Sequence, residues 1–279
     1  MALYAIGDLH LHFETELKAP MQLYDRVWID HEKHLKENCA RLLKPGDVLV
    51  LVGDHSWGAK LERCGKDLDY ICSLDPGPAD GTATAGPEKP ADSARETKNA
   101  PRSGAEEVRR SLEQLPRIVL IRGNHDMFWE VNKTRKLNEL YAGKLFFLQN
   151  NYYPYGDCAL VGTKGYCYEG LDDVDHADKL VRREAERLRV SFEAASADGF
   201  RRFVMFLHYP PTSALLWQRN SVFTKMAEQY GAEQVVYAHC HGDARFHDSI
   251  RGKKRGIRYS LVSGDCLRWT PQLILPDPE

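Results

Sequence analysis

Three short apolar runs, each ending in glycine followed by an acidic or amide residue, constrain this chain more than any other feature. Leu3-Tyr4-Ala5-Ile6 leads into Gly7-Asp8, and Val48-Leu49-Val50-Leu51-Val52 leads into Gly53-Asp54. Ile118-Val119-Leu120-Ile121 leads into Arg122-Gly123-Asn124-His125-Asp126. Aliphatic runs of this length, polar at neither face, are strands buried on both sides. Helical patterns lie between them. Trp28 to Leu43 repeats apolar residues at three and four until Pro45-Gly46-Asp47 stops it, and Leu61 to Ile71 is a second candidate helix. The later half is richer in strands: 144–148, 159–162, 203–207, 235–237 and 259–262, with a long charged helix from about Asp175 to Ala197. This alternation predicts an α/β fold in which two sheets pack face to face with helices outside, as a single domain over residues 1–275.

One segment breaks the pattern. From Pro76 to Gly104 there is no aromatic or branched aliphatic residue, so burial cannot repay the entropy of ordering it, and a disordered insertion is expected. It follows a helix and precedes a strand. That places it at the N-terminal end of the strands, away from the carboxyl ends where ligand sites form in such sheets.

The formal net charge of −2 lacks the basic excess that a bulk nucleic-acid binder shows. The apolar runs are strand-sized and too short to cross a bilayer. The first residues show neither a basic leader nor a cleavage site, so no signal peptide is expected. Seven cysteines without a CxxC pair fit reduced thiols in a cytoplasmic protein.

The chemistry lies in five pieces: Asp8-Leu9-His10, Gly53-Asp54, Gly123-Asn124-His125-Asp126, His208, and His239-Cys240-His241. Each alone is weak, since a Gly-Asp after a strand is usually a turn. Together they differ, because strand-end loops of an α/β sheet gather at one edge. The assembled set offers three carboxylate or amide oxygens and four imidazoles, with one histidine left over. Such donors suit two adjacent divalent ions sharing one carboxylate, with Mn, Fe, Zn or Co favoured over Mg or Ca. The absence of a cysteine cluster argues against a structural zinc site.

These pieces resemble the calcineurin-like metallophosphoesterase superfamily, whose pattern is DxH, GD, GNH[DE], H and GHxH in that order. Within it the chain is most similar to a bacterial branch of predicted phosphohydrolases, through 53–57, 121–126, 147–151, 207–211 and 261–263. The resemblance implies a four-layered α/β/β/α sandwich. It puts Asp8, His10 and His241 on one metal and Asn124, His208 and His239 on the other, with Asp54 bridging. His125 would serve the leaving group, with Asp126 orienting its ring. Arg122 is the candidate for a substrate-phosphate contact, or for pairing with a buried carboxylate. The implied reaction is hydrolysis of a phosphomonoester or phosphodiester by attack of metal-bound hydroxide. Its substrate would be a phosphorylated small molecule or nucleotide-like compound. One departure is that Ala238 stands where the family has Gly, which is tolerated unless that backbone needs a positive φ.

The remaining histidines, 12, 31, 34, 55, 176 and 247, read as surface or packing residues, and Cys240 as packing with its side chain turned away from the ligands. Arg251 to Arg258 reads as a hairpin with solvated charges. Tyr152-Tyr153-Pro154-Tyr155 and Tyr166-Cys167-Tyr168 are either pocket wall or core. Three rivals stand beside the small-molecule esterase. A scaffold that has lost catalysis would show a broken ligand set, and a nuclease would show a basic face. An amide-cleaving metallohydrolase does not account for the Asn in the GNHD order.

Overall fold

The structure, a computed structural model, describes residues 1–18, 20–77, 115–168, 173–212 and 220–277. The Pro76–Gly104 insertion lies, from residue 78 onward, outside the described residues. Its described flanks sit at the N-terminal edge of the first sheet: Gly46 N–H donates to the Gly77 carbonyl (2.8 Å), and Pro116 immediately precedes the strand at Ile118.

Five strands form the first sheet: β1 (Leu3–Ile6), β2 (Val48–Val52), β3 (Ile118–Ile121), β4 (Leu145–Leu148) and β11 (Gln272–Leu275), in the order β11-β1-β2-β3-β4. β1 to β4 run parallel, and β11 closes one edge antiparallel to β1. The second sheet has the order β5-β6-β7-β8-β10-β9. Its strands are β5 (Tyr152–Tyr155), β6 (Cys158–Thr163), β7 (Arg202–Leu207), β8 (Ala232–Tyr237), β9 (Gly252–Lys254) and β10 (Ile257–Leu261). The central strands β6, β7, β8 and β10 are parallel, with antiparallel β5 and β9 at the edges.

The alternation of side chains along each strand builds the layers. Val48, Val50 and Val52 point between the sheets, where they meet Leu160, Val204, Phe206 and Val236. Leu49 and Leu51 point the other way, onto α1 (His31–Leu42), α2 (Gly65–Cys72) and α3 (Thr134–Leu140) through Leu35, Cys39, Leu68, Ile71 and Leu137. The outer face of the second sheet is covered by α4 (Val174–Ala197) and α5 (Val222–Tyr230), with Leu188, Phe192, Phe223 and Met226 inward. The result is α/β/β/α. Every residue of β2 is buried, as the unbroken aliphatic run predicts, and each such Val or Leu contributes about 1.5–3 kcal/mol.

Two predicted helices are shorter than their patterns. Trp28 closes a 3₁₀ turn (Arg26–Trp28), Asp30 takes φ 52°, and the α-helix begins only at His31. Likewise a 3₁₀ turn at Leu61–Arg63 precedes α2, which starts at Gly65. Apolar spacing alone does not separate a 3₁₀ turn from the helix that follows it. Arg251 to Arg258 does form a hairpin, β9 to β10, turning at Arg255 and Gly256, which both have positive φ. The two tyrosine pieces divide. Tyr153 and Tyr155 are inter-sheet core, donating their hydroxyls to Pro116 O and Met1 O (3.0 and 2.6 Å). Tyr166, Cys167 and Tyr168 instead line a cavity of about 290 Å³.

Candidate metal centre

All five predicted pieces leave the carboxyl ends of strands at one edge of the sandwich: after β1, β2, β3, β7 and β8. The two sheets are joined at that edge by backbone. Gly7 N–H donates to Val262 O (2.7 Å) and Gly264 N–H to Gly7 O (3.0 Å), linking the end of β1 to the end of β10. Asp8 N–H donates to Gly53 O and His10 N–H to Asp54 O, which locks the first two loops together (3.0 and 2.8 Å). Asp8, His10, Asp54 and His239 all adopt φ between 47° and 69°. Four non-glycine residues in this costly region, all at one site, mark backbone held for function. Ala238 is not among them. The positive φ falls on the next residue, and the Ala238 methyl fills the space where a Cβ on Gly7 would lie (2.6 Å).

Donor atoms collect into two groups. Asp8, His10 and His241 form one, and Asp54, His208 and His239 the other, with the donor atoms of each within 4.8 Å of one another. Asp54 stands between the groups: its Oδ2 is 3.4 Å from His208 Nε2 and 3.7 Å from His10 Nε2. Asn124 Oδ1 lies 2.7 Å from His208 Nε2.

Two features fit these groups to cations. Both ring nitrogens of His10 are buried without a hydrogen bond. A nitrogen so placed forfeits its solvation unless something else takes its lone pair. His208 is subtler. Its Nδ1–H donates to Val52 O (3.0 Å), so in a neutral ring the Nε2 lone pair would face Asn124 Oδ1, Asp54 Oδ2 and His239 Nδ1 (3.1 Å). A proton or a metal ion on Nε2 suits the two oxygens, whereas His239 Nδ1 can face a bare Nε2 only as a donor. In the metal-free protein the proton takes this place. Burial disfavours it, yet Asp54, by charge and hydrogen bond, together with Asp8 and the Val52 carbonyl, raises His208 to about 9. Burial would likewise raise Asp54, but His208, His10 and His125 hold its carboxyl well below the usual range. His241 is pushed down by burial and more strongly up by Asp8 and Asp265.

A ligand imidazole must be neutral, so metal binding at pH 7 should release at least one proton, and affinity should climb with pH toward 9. Calorimetry in buffers of different ionisation enthalpy measures this release. Proton-neutral binding would show that His208 is not displaced.

Asp126 corrects one sequence expectation. Its carboxylate does not orient the His125 ring. Instead it accepts N–H bonds from Gly123, Asp54 and His55 (2.7, 3.0 and 2.8 Å), and His55 Nδ1 lies 2.9 Å away. The physical reason is local. Asp54 and Asp126 each accept from the other's loop, and His125 N–H bonds Asp54 Oδ1 (2.8 Å), which turns the His125 ring outward. His125 is held by packing, against Trp57 (centroids 4.2 Å) and His10 (5.5 Å). His55, read from sequence as a packing residue, is fully buried as the partner of Asp126.

Arg122 also departs from one of its two readings. Among the described residues it forms neither a hydrogen bond nor an ion pair, and its Nε is buried. Cys240 packs in the outer core of the second sheet, away from the ligands, as expected. Sequence reasoning missed Trp57, which stacks on His10 (5.1 Å), and Asp265, which lies 3.2 Å from His241 Nδ1. Trp57 closes the 53–57 piece but nothing in the sequence assigned it a role, and Asp265 is distant in sequence from every ligand piece except His241.

The sequence profile of the calcineurin-like phosphoesterases matches residues 1–243, a span that holds both donor groups. The chain belongs to this family. No curated protein matches this calcineurin-like phosphoesterase. Similar solved structures include AQ665, a protein of unknown function from Aquifex aeolicus (13% identity, 97% of this chain and 94% of that one, TM-score 0.45). TT1561 of Thermus thermophilus has 10% identity over 86% and 82%, with a TM-score of 0.44. GAP50, the anchor in the inner membrane complex of Plasmodium, has 10% identity over 95% and 72%, with a TM-score of 0.43. Among the described residues of the present chain, no helix is long and apolar enough to cross a membrane.

Proposed function

We propose that this chain hydrolyses the phosphate ester of a small or nucleotide-like substrate at a dinuclear metal centre. The observation that carries the reading is the pair of largely buried donor groups with Asp54 between them, together with the two His10 ring nitrogens that have no hydrogen bond among the described residues. Asp8, His10 and His241 would hold one ion and Asn124, His208 and His239 the other, with Asp54 available to both. Mn, Fe, Zn or Co in these positions would supply Lewis acidity, acidifying water and neutralising phosphoryl oxygens. The net charge of −2 supports a small substrate over nucleic acid. The pairing of β11 with β1 supports residues 1–275 as one unit. Seven thiols without a disulfide support a cytoplasmic location.

The protein's own groups then have separate tasks. Arg122, a guanidinium beside the Asn124 loop that makes no hydrogen bond or ion pair among the described residues, binds the phosphoryl oxygens. His125, partly exposed and braced by Trp57, donates a proton to the departing oxygen. Asp126 acts one step removed, by fixing the loops that present Asp54 and Asn124.

Manganese-loaded protein should turn over a chromogenic monoester or diester while holding two metal ions. His125→Ala should keep both ions and lose about 100- to 10,000-fold in rate with an alkoxide leaving group, and far less with nitrophenolate. Equal losses on both would remove the proton-donor role. No metal and no turnover in the unmodified protein would favour a scaffold that has lost catalysis.

A further inference from the structure

Beside the metal centre lies a set of cations of which the hydrolysis of a simple ester uses only Arg122. Arg122 follows β3 and Lys164 follows β6. The two strand ends face each other across the sheet interface: a Cβ on Gly162 would lie 3.1 Å from Ile121 Cδ1. Two further cations, Arg183 and Arg187, rise from α4 on the same side. The carboxylate at the centre of this set is Glu184, fully buried, and it is already committed. It accepts from Thr163 Oγ1 (2.6 Å) and pairs with Arg187, while Arg183 Nε stands 3.9 Å off.

Arg122 and Lys164 therefore feel Glu184 only at a distance, without direct contact. Among the described residues neither forms a hydrogen bond or ion pair through its side chain; Lys164 Nζ lies over the Tyr209 ring, 5.6 Å from its centroid. Lys164 is not placed by accident of a loose chain. Its carbonyl accepts both His208 N–H (3.1 Å) and Tyr209 N–H (2.9 Å), so its backbone is fixed to that of a metal-site histidine. The Tyr209 ring in turn lies 4.1 Å from the His239 ring. Lys164 thus sits one aromatic ring outward from the donor group of Asp54, His208 and His239. Burial lowers both cations from their ordinary values; the charge of Glu184, and of Asp126 at Arg122, offsets this only in part. Two half-buried cations that share one carboxylate, itself already bonded to Thr163 and Arg187, leave room for a further anion.

We propose that Lys164, with Arg122, forms a subsite for a second phosphoryl group, so that the preferred substrates carry two adjacent phosphoryl groups, as in a phosphoanhydride. This rests on the metallophosphoesterase reading, with the first phosphoryl group at the metals and Arg122 between the two. An ammonium acts on phosphate as a point charge, and a guanidinium as a two-pronged donor, so the pair can span adjacent groups.

The test compares binding of methylenediphosphonate and methylphosphonate, which are not hydrolysed, to manganese-loaded protein by calorimetry, with the bound metal counted separately. The unmodified protein should prefer the diphosphonate by about tenfold or more, the scale of one charge-assisted contact. Lys164→Met, which keeps the stem packed on Tyr209, should abolish the preference. Lys164→Arg should restore most of it, and Lys225→Ala, an exposed lysine elsewhere, should leave it intact. Metal-loaded protein that binds the two phosphonates alike, or a preference that survives Lys164→Met, overturns the subsite alone. Protein that holds no metal and captures neither phosphonate overturns the metallophosphoesterase reading and the subsite with it.

Discussion

Asp126→Ala should unfold this protein far more readily than any change at His125, lowering stability by about 3–5 kcal/mol in the metal-free state. The carboxylate is buried and serves as a knot. It accepts backbone N–H groups from Gly123 on one loop and from Asp54 and His55 on another, with His55 Nδ1 as an additional partner. Alanine leaves these donors buried and unpaired, and water cannot reach them at a site where Asp126, His55 and Asp54 are all buried. The charge is also tuned. Burial raises the Asp126 carboxyl, but His55, by charge and hydrogen bond, and the Gly123 N–H bring it below its usual value. A depressed carboxyl stabilises the fold above its unfolded pKa and loses that contribution as pH falls. Denaturant titration of the metal-free variant should therefore show a large drop in midpoint at pH 7, shrinking under acid, and metal affinity should fall with it. Were stability unchanged and only turnover with poor leaving groups reduced, Asp126 would after all be acting through His125.

Asp54→Asn should leave the fold intact while removing catalysis. The amide keeps an oxygen for the His125 N–H, so loop geometry survives, but it loses the charge and the second oxygen that stands between His208 and His10. We expect at most one bound metal and a loss of about a thousandfold in kcat/KM, equivalent to roughly 4 kcal/mol of transition-state stabilisation. A second readout needs no turnover. Asp54 is the foremost group raising His208, so in the metal-free variant His208 should titrate well below the value of about 9 expected in its presence. NMR titration of the imidazole resonances measures this. A variant that retained two metals, normal turnover and an unmoved His208 would show that Asp54 does not join the two donor groups.

Much of this molecule follows from sequence by simple physics. The unbroken run Val48–Val52 can satisfy both of its faces only between two apolar layers, and it lies there. Gly53 takes φ 86°, and a Cβ on it would meet His208 Nδ1 at 2.2 Å, so a residue without a side chain is needed where the two loops touch. The spacing of ligand types predicted the convergence of Asp8, His10, Asp54, Asn124, His208, His239 and His241, because parallel strands deliver their carboxyl ends to one edge.

What tertiary structure alone decided is the division of labour among neighbours. His125 and Asp126 are adjacent in sequence, and adjacency suggested a pair. The loop geometry instead sends Asp126 inward to His55 and leaves His125 to Trp57. Asp265 reaches His241, and Lys164 comes to stand behind Tyr209, because β10 pairs with β8 and β6 with β7 in the second sheet, pairings that no local pattern encodes. Local sequence fixes backbone period and turn chemistry, which are short-range. Which buried charge meets which partner depends on which strands become neighbours and how their end loops pack, and that is a property of the packed whole.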